Sequence, residues 1–287
     1  MKAAPFDYHA PDTLDEVLDL LSRGNGVRVL AGGQSLLPLM KLRLAKPTVV
    51  VDVNRVTELV GIEERDGGLA IGAVTRQQAL VDDERAGRSQ PLLRVAGRHA
   101  GYLATRHRGT VGGSLAYAAP WAELTAAVVA LDARVHLRST RGERDVAARD
   151  FFHGPHETAL AKDELLTQVV VPPMAERTGV GFHEVTTGHG GFLHAAAAAT
   201  VSLAEDGSCA AAELVLLGVA PTPYRADVSD LRGTTFEPEA LAAVDALVER
   251  LDPPDGIEVS GGYRRRVARA LARRALLDAH ADARTAA

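Results

Sequence analysis

The sequence predicts an α+β protein built in two parts, and three observations support this. Helical periodicity and short strand-type runs alternate up to "ELLTQVVVPP", where a strand and two prolines, Pro172 and Pro173, close the first part. Beyond it, "GVGFHEV", "HAAAAATVSLA" and "AAELVLLGVA" read as three strands of an antiparallel sheet. Two helical stretches follow the third strand.

The first element is a helix. Thr13 and Glu16 fit a capping box, Leu14, Val17, Leu18 and Leu21 follow helical spacing, and Gly24 stands where a glycine ends a helix. A strand over Val27–Leu30 comes next, then the stretch "AGGQSL", then a strand within "TVVVDV". "LAIGAVT" reads as a strand, with a "DGG" turn before it and a short helix from near Arg76 after it. "LLRVAGRHAGYLATRHR" reads as one helix ending in a second glycine loop, residues 109–114. "AELTAAVVALDA" is helical, and "RVHLRS" with "RGERDVAA" makes a hairpin. In "GYRRRVARALARRALLDA" the spacing puts Tyr263, Val267, Ala270, Leu271 and Leu277 on one face. Arg265, Arg269 and Arg273 lie opposite, as a solvated face or a strip for a partner.

Composition narrows the function. A net charge of −5 runs against a general nucleic-acid or membrane-surface binder. The single cysteine, Cys209, excludes a disulfide framework and an iron–sulfur or cysteine zinc site built from this chain alone. The opening "MKAAPFDYHAPDTLDE" lacks the apolar core of a signal peptide, and no apolar run is long enough to span a bilayer. A cytoplasmic protein is the expectation.

"AGGQSL" and "TVGGSL" are the two stretches that carry chemistry. Each pairs two glycines with hydroxyl or amide side chains. Exposed backbone N–H groups in such loops form anion-binding concavities, and Ser35, Thr110 and Ser114 add hydroxyl donors. Taken singly, each stretch also fits an ordinary turn. Taken together, they fit a dinucleotide pyrophosphate held from two sides. The dinucleotide fingerprint of doubly wound folds is absent, because "GNGVRV" has no third glycine and runs from helix to strand. "GGQSLL" is not a nucleophile elbow, since Leu37 stands where the second glycine belongs.

Four segments in order, "AGGQSLLPLMKLRLAKPTVVVDVNRV", "RGTVGGSLAYAAPWAELTAAVVALDA", "DFFHGPHETALAKDELLTQVVVP" and "VLLGVAPTPYRA", closely resemble the FAD-binding medium subunit of the molybdenum hydroxylases. That family includes carbon-monoxide dehydrogenase and xanthine dehydrogenase. The resemblance implies a two-subdomain FAD-binding domain of the vanillyl-alcohol-oxidase (PCMH) type over 1–172, with subdomains of about 1–56 and 57–172. It further implies a C-terminal domain of antiparallel sheet with helices over 173–287. Carried onto this sequence, the FAD-binding residues are Ala31, Gly32, Gly33, Gln34 and Ser35, then Thr110, Val111, Gly112, Gly113 and Ser114. Glu123 matches an acidic residue that contacts FAD, Leu166 an apolar residue beside its adenine or flavin, and Phe192 an aromatic at the ring. By the same resemblance, electrons come from [2Fe–2S] clusters on a small subunit, fed by molybdopterin on a large one, and leave to an external acceptor. The implied assembly is a dimer of heterotrimers.

Some residues depart from the family pattern. His107 replaces an asparagine, and Ala116–Pro120 reads "AYAAP" where the family has "AHADP". In "FHEVTTGHGGFLHA" the family's lysine near Glu184, its paired basic residues near Thr187 and Gly188, and its aspartate before the aromatic are all missing. Loss of a cation near the flavin is expected to lower its potential. His189 or His194 is a candidate replacement cation; the alternative is a surface histidine. Tyr102, Tyr117 and Trp121 flank the second stretch, as a cover for the ring or as core. His153 and His156 lack a third ligand at useful spacing and read as loop histidines, and Asp52 and Asn54 as a turn cap. Two other functions fit the family's fold: a free-standing FAD oxidoreductase like the cell-wall enolpyruvyl reductases, and a flavin-poor scaffold subunit.

Overall fold

The computed structural model describes residues 2–188 and 190–285. Its N-terminal part begins with β1 (Asp7–His9), α1 (Leu14–Ser22), β2 (Val27–Leu30), α2 (Leu36–Lys41) and β3 (Val49–Asp52). Thr13 caps α1, its hydroxyl accepting from the Glu16 amide. The three strands form a parallel sheet in the order β1-β3-β2, so β1 is an edge strand absent from the sequence reading. Leu14, Val17, Leu18 and Leu21 of α1 pack with Val27, Val51 and Val53, the residues the helical spacing selects.

The next part runs β4 (Ile62–Arg65), β5 (Gly68–Gly72), α3 (Gln77–Asp82), α4 (Glu84–Ser89), α5 (Pro91–His99), α6 (Leu103–Arg108), α7 (Val111–Tyr117) and α8 (Glu123–Ala130). It continues with β6 (Arg134–Ser139), β7 (Gly142–Ala147), α9 (Ala148–Phe151), β8 (Phe152–Gly154), β9 (Glu157–Thr158) and β10 (Leu165–Val171). Five strands form a sheet in the order β4-β5-β10-β6-β7, and its strand pairs are antiparallel. Two expectations change here. The single helix expected from residue 92 to 108 is broken into α5 and α6, because Gly101 takes φ +54° and ends helical geometry between them. The second glycine loop is helix from Val111 onward, capped by Thr110, so glycine content there marks tight packing rather than open turn.

The C-terminal part comprises β11 (Thr178–Thr186), β12 (Leu193–Leu203), β13 (Cys209–Leu217), β14 (Tyr224–Ala226), α10 (Pro238–Glu249) and α11 (Gly261–Thr285). The sheet is a four-stranded antiparallel meander, with β14 added to the three expected strands. In β12, Ala196 and Ala198 face the main core, while Ala195, Ala197 and Ala199 face α10 and α11. Both faces are buried, which is why this strand reads as a continuous apolar run without alternation. The buried face of α11 is Ala268, Leu271, Ala272, Ala275, Leu276, Ala279 and Ala283; Ala270 and Leu277 are exposed, contrary to the expected face. Helix and sheet approach closely enough that a side chain at Gly181 would overlap the Ala275 backbone. Arg265 and Arg269 pair with Glu249, and Arg273 with Asp245, so the arginine row faces α10. Among the described residues, no helix is long and apolar enough to cross a membrane.

Candidate FAD site

The turn after β2 is built by two glycines with different reasons to be glycine. Gly33 holds φ +73°, where a side chain is strained. Gly32 lies against the α6–α7 junction, where an added Cβ would overlap the Arg108 carbonyl oxygen and stand 2.7 Å from the Gly109 Cα. Alongside it, a Cβ at Gly113 would be 3.6 Å from that of Ala31. The two glycine stretches, remote in sequence, therefore meet backbone to backbone.

Their chemistry differs. Among the described residues, the amides of Gly32, Gly33, Gln34 and Ser35 have no acceptor within the protein. In the second stretch each amide is engaged: Val111 donates to Thr75 O, Gly112 to Ala73 O, Gly113 to Thr110 Oγ1 and Ser114 to Thr110 O. The expectation of two amide-lined loops is corrected: only the first turn offers free N–H groups. The second presents a bare helix face and the hydroxyl of Ser114, because its amides are consumed in seating α7 against the Ala73–Thr75 backbone. The first turn with this opposing surface fits an anionic dinucleotide, since its free amides are donors and neither Gly32 nor Gly113 projects a side chain.

Asn54 and Arg76 join the halves. Asn54 Nδ2 donates to Ala31 O at 2.8 Å, Arg76 Nη2 donates to Asn54 Oδ1 at 2.7 Å, and Arg76 Nη1 donates to Arg108 O at 2.7 Å. Asp52 accepts from the Asn54 amide at 2.9 Å and from the Tyr8 hydroxyl at 2.7 Å. Burial works to raise the Asp52 pKa, but the hydrogen bonds from Asn54 and Tyr8 outweigh it and hold the carboxyl below its ordinary value. Asn54 is thus more than a turn cap. Arg76 was not a candidate from sequence, because an arginine at a helix start carries no pattern of its own.

The remaining candidates lie around this junction. Glu123 begins α8 and is buried, which raises its pKa to about 7, with Glu184 adding and His99 and Arg106 opposing. Leu166 is buried in the main core beside a bulge in the β10–β6 pairing. Phe192 is 64% exposed and packs edge-on against Trp121 with ring centroids 5.2 Å apart. His156 stacks at 4.5 Å on Tyr117 and meets Trp121 at 5.7 Å. Tyr102 is exposed, and its ring fills the space in front of Gly190. His194 is buried near Glu258 and Tyr263, and His183 pairs with Asp278 on α11. His189 lies outside the described residues. The histidine that does meet Glu184 is His99, whose Nδ1 is 3.0 Å from Glu184 Oε1; nothing in the sequence distinguished it from other helix residues.

Comparison with known proteins agrees with this geometry. Residues 4–174 match the family described as the FAD binding domain in molybdopterin dehydrogenase, and residues 182–279 the CO dehydrogenase flavoprotein C-terminal domain. The 6-hydroxypseudooxynicotine dehydrogenase complex subunit alpha of Paenarthrobacter nicotinovorans is 35% identical over 97% of this chain and 96% of its own length. The carbon monoxide dehydrogenase medium chain of Afipia carboxidovorans is 35% identical over 97% of this chain and 98% of its own. The structure of carbon monoxide dehydrogenase from Hydrogenophaga pseudoflava superposes with a TM-score of 0.94 at 34% identity, covering 98% of this chain and 99% of that one. Quinoline 2-oxidoreductase from Pseudomonas putida 86 gives the same score at 34% identity, over 99% of each chain. The fold is thus a PCMH-type FAD-binding domain followed by the flavoprotein C-terminal domain, and the chain belongs to the FAD-binding medium subunits of the molybdenum hydroxylases, as an oxidoreductase subunit.

Proposed function

We propose that this chain passes electrons from [2Fe–2S] clusters of a small partner subunit, fed by a large molybdopterin subunit, to an external acceptor. In this reading FAD lies between Ala31–Ser35 and Thr110–Ser114. The meeting of these stretches, with free amides at Gly32, Gly33, Gln34 and Ser35, is the observation that carries it. FAD bound there supplies redox chemistry that no side chain offers.

The chain's own residues position and shield. The amides of the first turn would hold the pyrophosphate, and the Ser35 and Ser114 hydroxyls would donate to it. Val111 and Gly112 would set the helix against which it rests. Leu166 would be an apolar neighbour of the cofactor, Glu123 a polar one, and Phe192 would meet the ring. We assign residues 1–172 to the cofactor domain, with subdomains of about 1–56 and 57–172, and residues 173–287 to the C-terminal domain. The subunit names of the relatives support a multi-subunit complex, for which we propose a dimer of heterotrimers in the cytoplasm.

The test is an absorption spectrum of the purified chain, with nucleotide released by heat and identified by chromatography. One FAD per chain is the expected result. A chain that stays colourless after reconstitution with excess FAD and both partner subunits would overturn the reading.

A further inference from the structure

Two residues after Trp121, the Glu123 carboxyl is 7% exposed, and the one hydrogen bond it receives comes from its own backbone N–H. Three charged side chains from other elements act on it: His99 of α5, Glu184 of β11 and Arg106 of α6. His99 Nδ1 is bonded to Glu184 Oε1 at 3.0 Å, while the other Glu184 oxygen, Oε2, is buried without a partner. Arg106 is committed elsewhere, its Nε donating to Gln78 Oε1 at 2.9 Å and its Nη1 to Gly101 O at 2.9 Å. The other elements packed on α8 bring no free charge toward it. α7 has no charged residue, Glu213 of β13 pairs with Arg225 of β14, Arg149 of α9 pairs with Asp132, and His194 of β12 sits near Glu258. A buried carboxyl is thus set between a like charge and a histidine, with no side chain fixing its proton.

We propose that the Glu123 carboxyl is the proton-holding group of the cofactor site, taking one proton from solvent when negative charge enters the site, with His99 and Glu184 as its positioning residues. The step forms one O–H bond on a Glu123 carboxylate oxygen and breaks no bond between heavy atoms. It rests on the reading that FAD occupies this face. Burial brings the carboxyl to about 7, so added negative charge nearby tips it toward the neutral acid. The Glu184 bond raises the His99 pKa, keeping that ring a cation. His99 and Glu184 therefore pull Glu123 in opposite directions.

The experiment uses the full chain in two states. Without flavin, carbon NMR of labelled glutamate follows the Glu123 carboxyl through its titration. With FAD bound, the midpoint potential is measured against pH on both sides of neutrality, using a chemical reductant. Wild type should gain one proton per two electrons near neutrality, a tenfold change per pH unit that steepens the slope by about 30 mV per unit. Glu123→Gln should lose that extra slope. His99→Gln should move the steep region to higher pH, and Glu184→Gln to lower pH, opposite shifts that a structural role would not produce. If FAD binds but wild type and Glu123→Gln share one slope, or Glu123 titrates at the ordinary carboxylate value, the inference falls while the cofactor reading stands. If the chain takes no FAD, the cofactor reading fails and the inference with it.

Discussion

Gly32 lies against the carbonyl oxygen of Arg108, so that the turn after the first buried strand and the junction before α7 share one backbone contact. Packing of this kind leaves no room for a methyl group. Gly32→Ala must push the α6–α7 junction away, an overpacking cost of about 1–3 kcal/mol. Because the displaced surface is half of the candidate site, FAD affinity should fall by about tenfold or more. Flavin content after gel filtration reads this directly, and a variant with wild-type flavin would separate the contact from the site.

Arg76 and Asn54 should act as one unit. Each loses its 2.7 Å bond to the other when truncated, and each also holds a carbonyl of a different stretch. Single alanine variants should each lower thermal stability, and the double variant should cost less than their sum. A coupling of about 1–2 kcal/mol is expected from a hydrogen bond to a charged group. Strict additivity in chemical denaturation would show that the bridge does not couple the halves.

Glu123 gives a pH dependence with a defined sign. Its folded pKa is raised from 4.5 to about 7, so the native state binds a proton the unfolded state releases. That contribution is full below about pH 4.5 and disappears as pH rises through 7, a loss of about 3 kcal/mol. His99, also raised, contributes in the same direction. In Glu123→Gln without flavin, stability should fall less between about pH 5 and 8 than in wild type. Parallel urea profiles for the two proteins would refute this.

Glu184→Lys replaces a like charge beside Glu123 with a cation and breaks the bond to His99. The Glu123 carboxyl should then titrate closer to its ordinary value, and the midpoint potential of bound flavin should rise. An unchanged potential would show that this position does not reach the flavin electrostatically.

Trp121 is the single tryptophan, partly exposed and 5.2 Å from Phe192 between ring centroids. Reconstitution with FAD should quench its fluorescence, and Phe192→Ala should change the residual intensity. Emission indifferent to FAD at full occupancy would place the ring away from this aromatic pair.

The sequence by itself determined the fold class, the strands of the two large sheets apart from β4 and β14, and the two glycine stretches, because local spacing and glycine placement record burial and close approach residue by residue. Only the tertiary structure decided what those glycines do. The amides of Gly32–Ser35 are free, whereas those of Val111–Ser114 are spent on Thr75, Ala73 and Thr110, a difference set by which backbone lies opposite. The same holds for Arg76 bridging to Arg108 and for His99 meeting Glu184: their partners lie far along the chain, and a hydrogen bond between remote residues leaves no period or motif to read. The break at Gly101 and the true face of α11 were decided there too, by a left-handed backbone and by alanines close enough to meet glycines across the sheet.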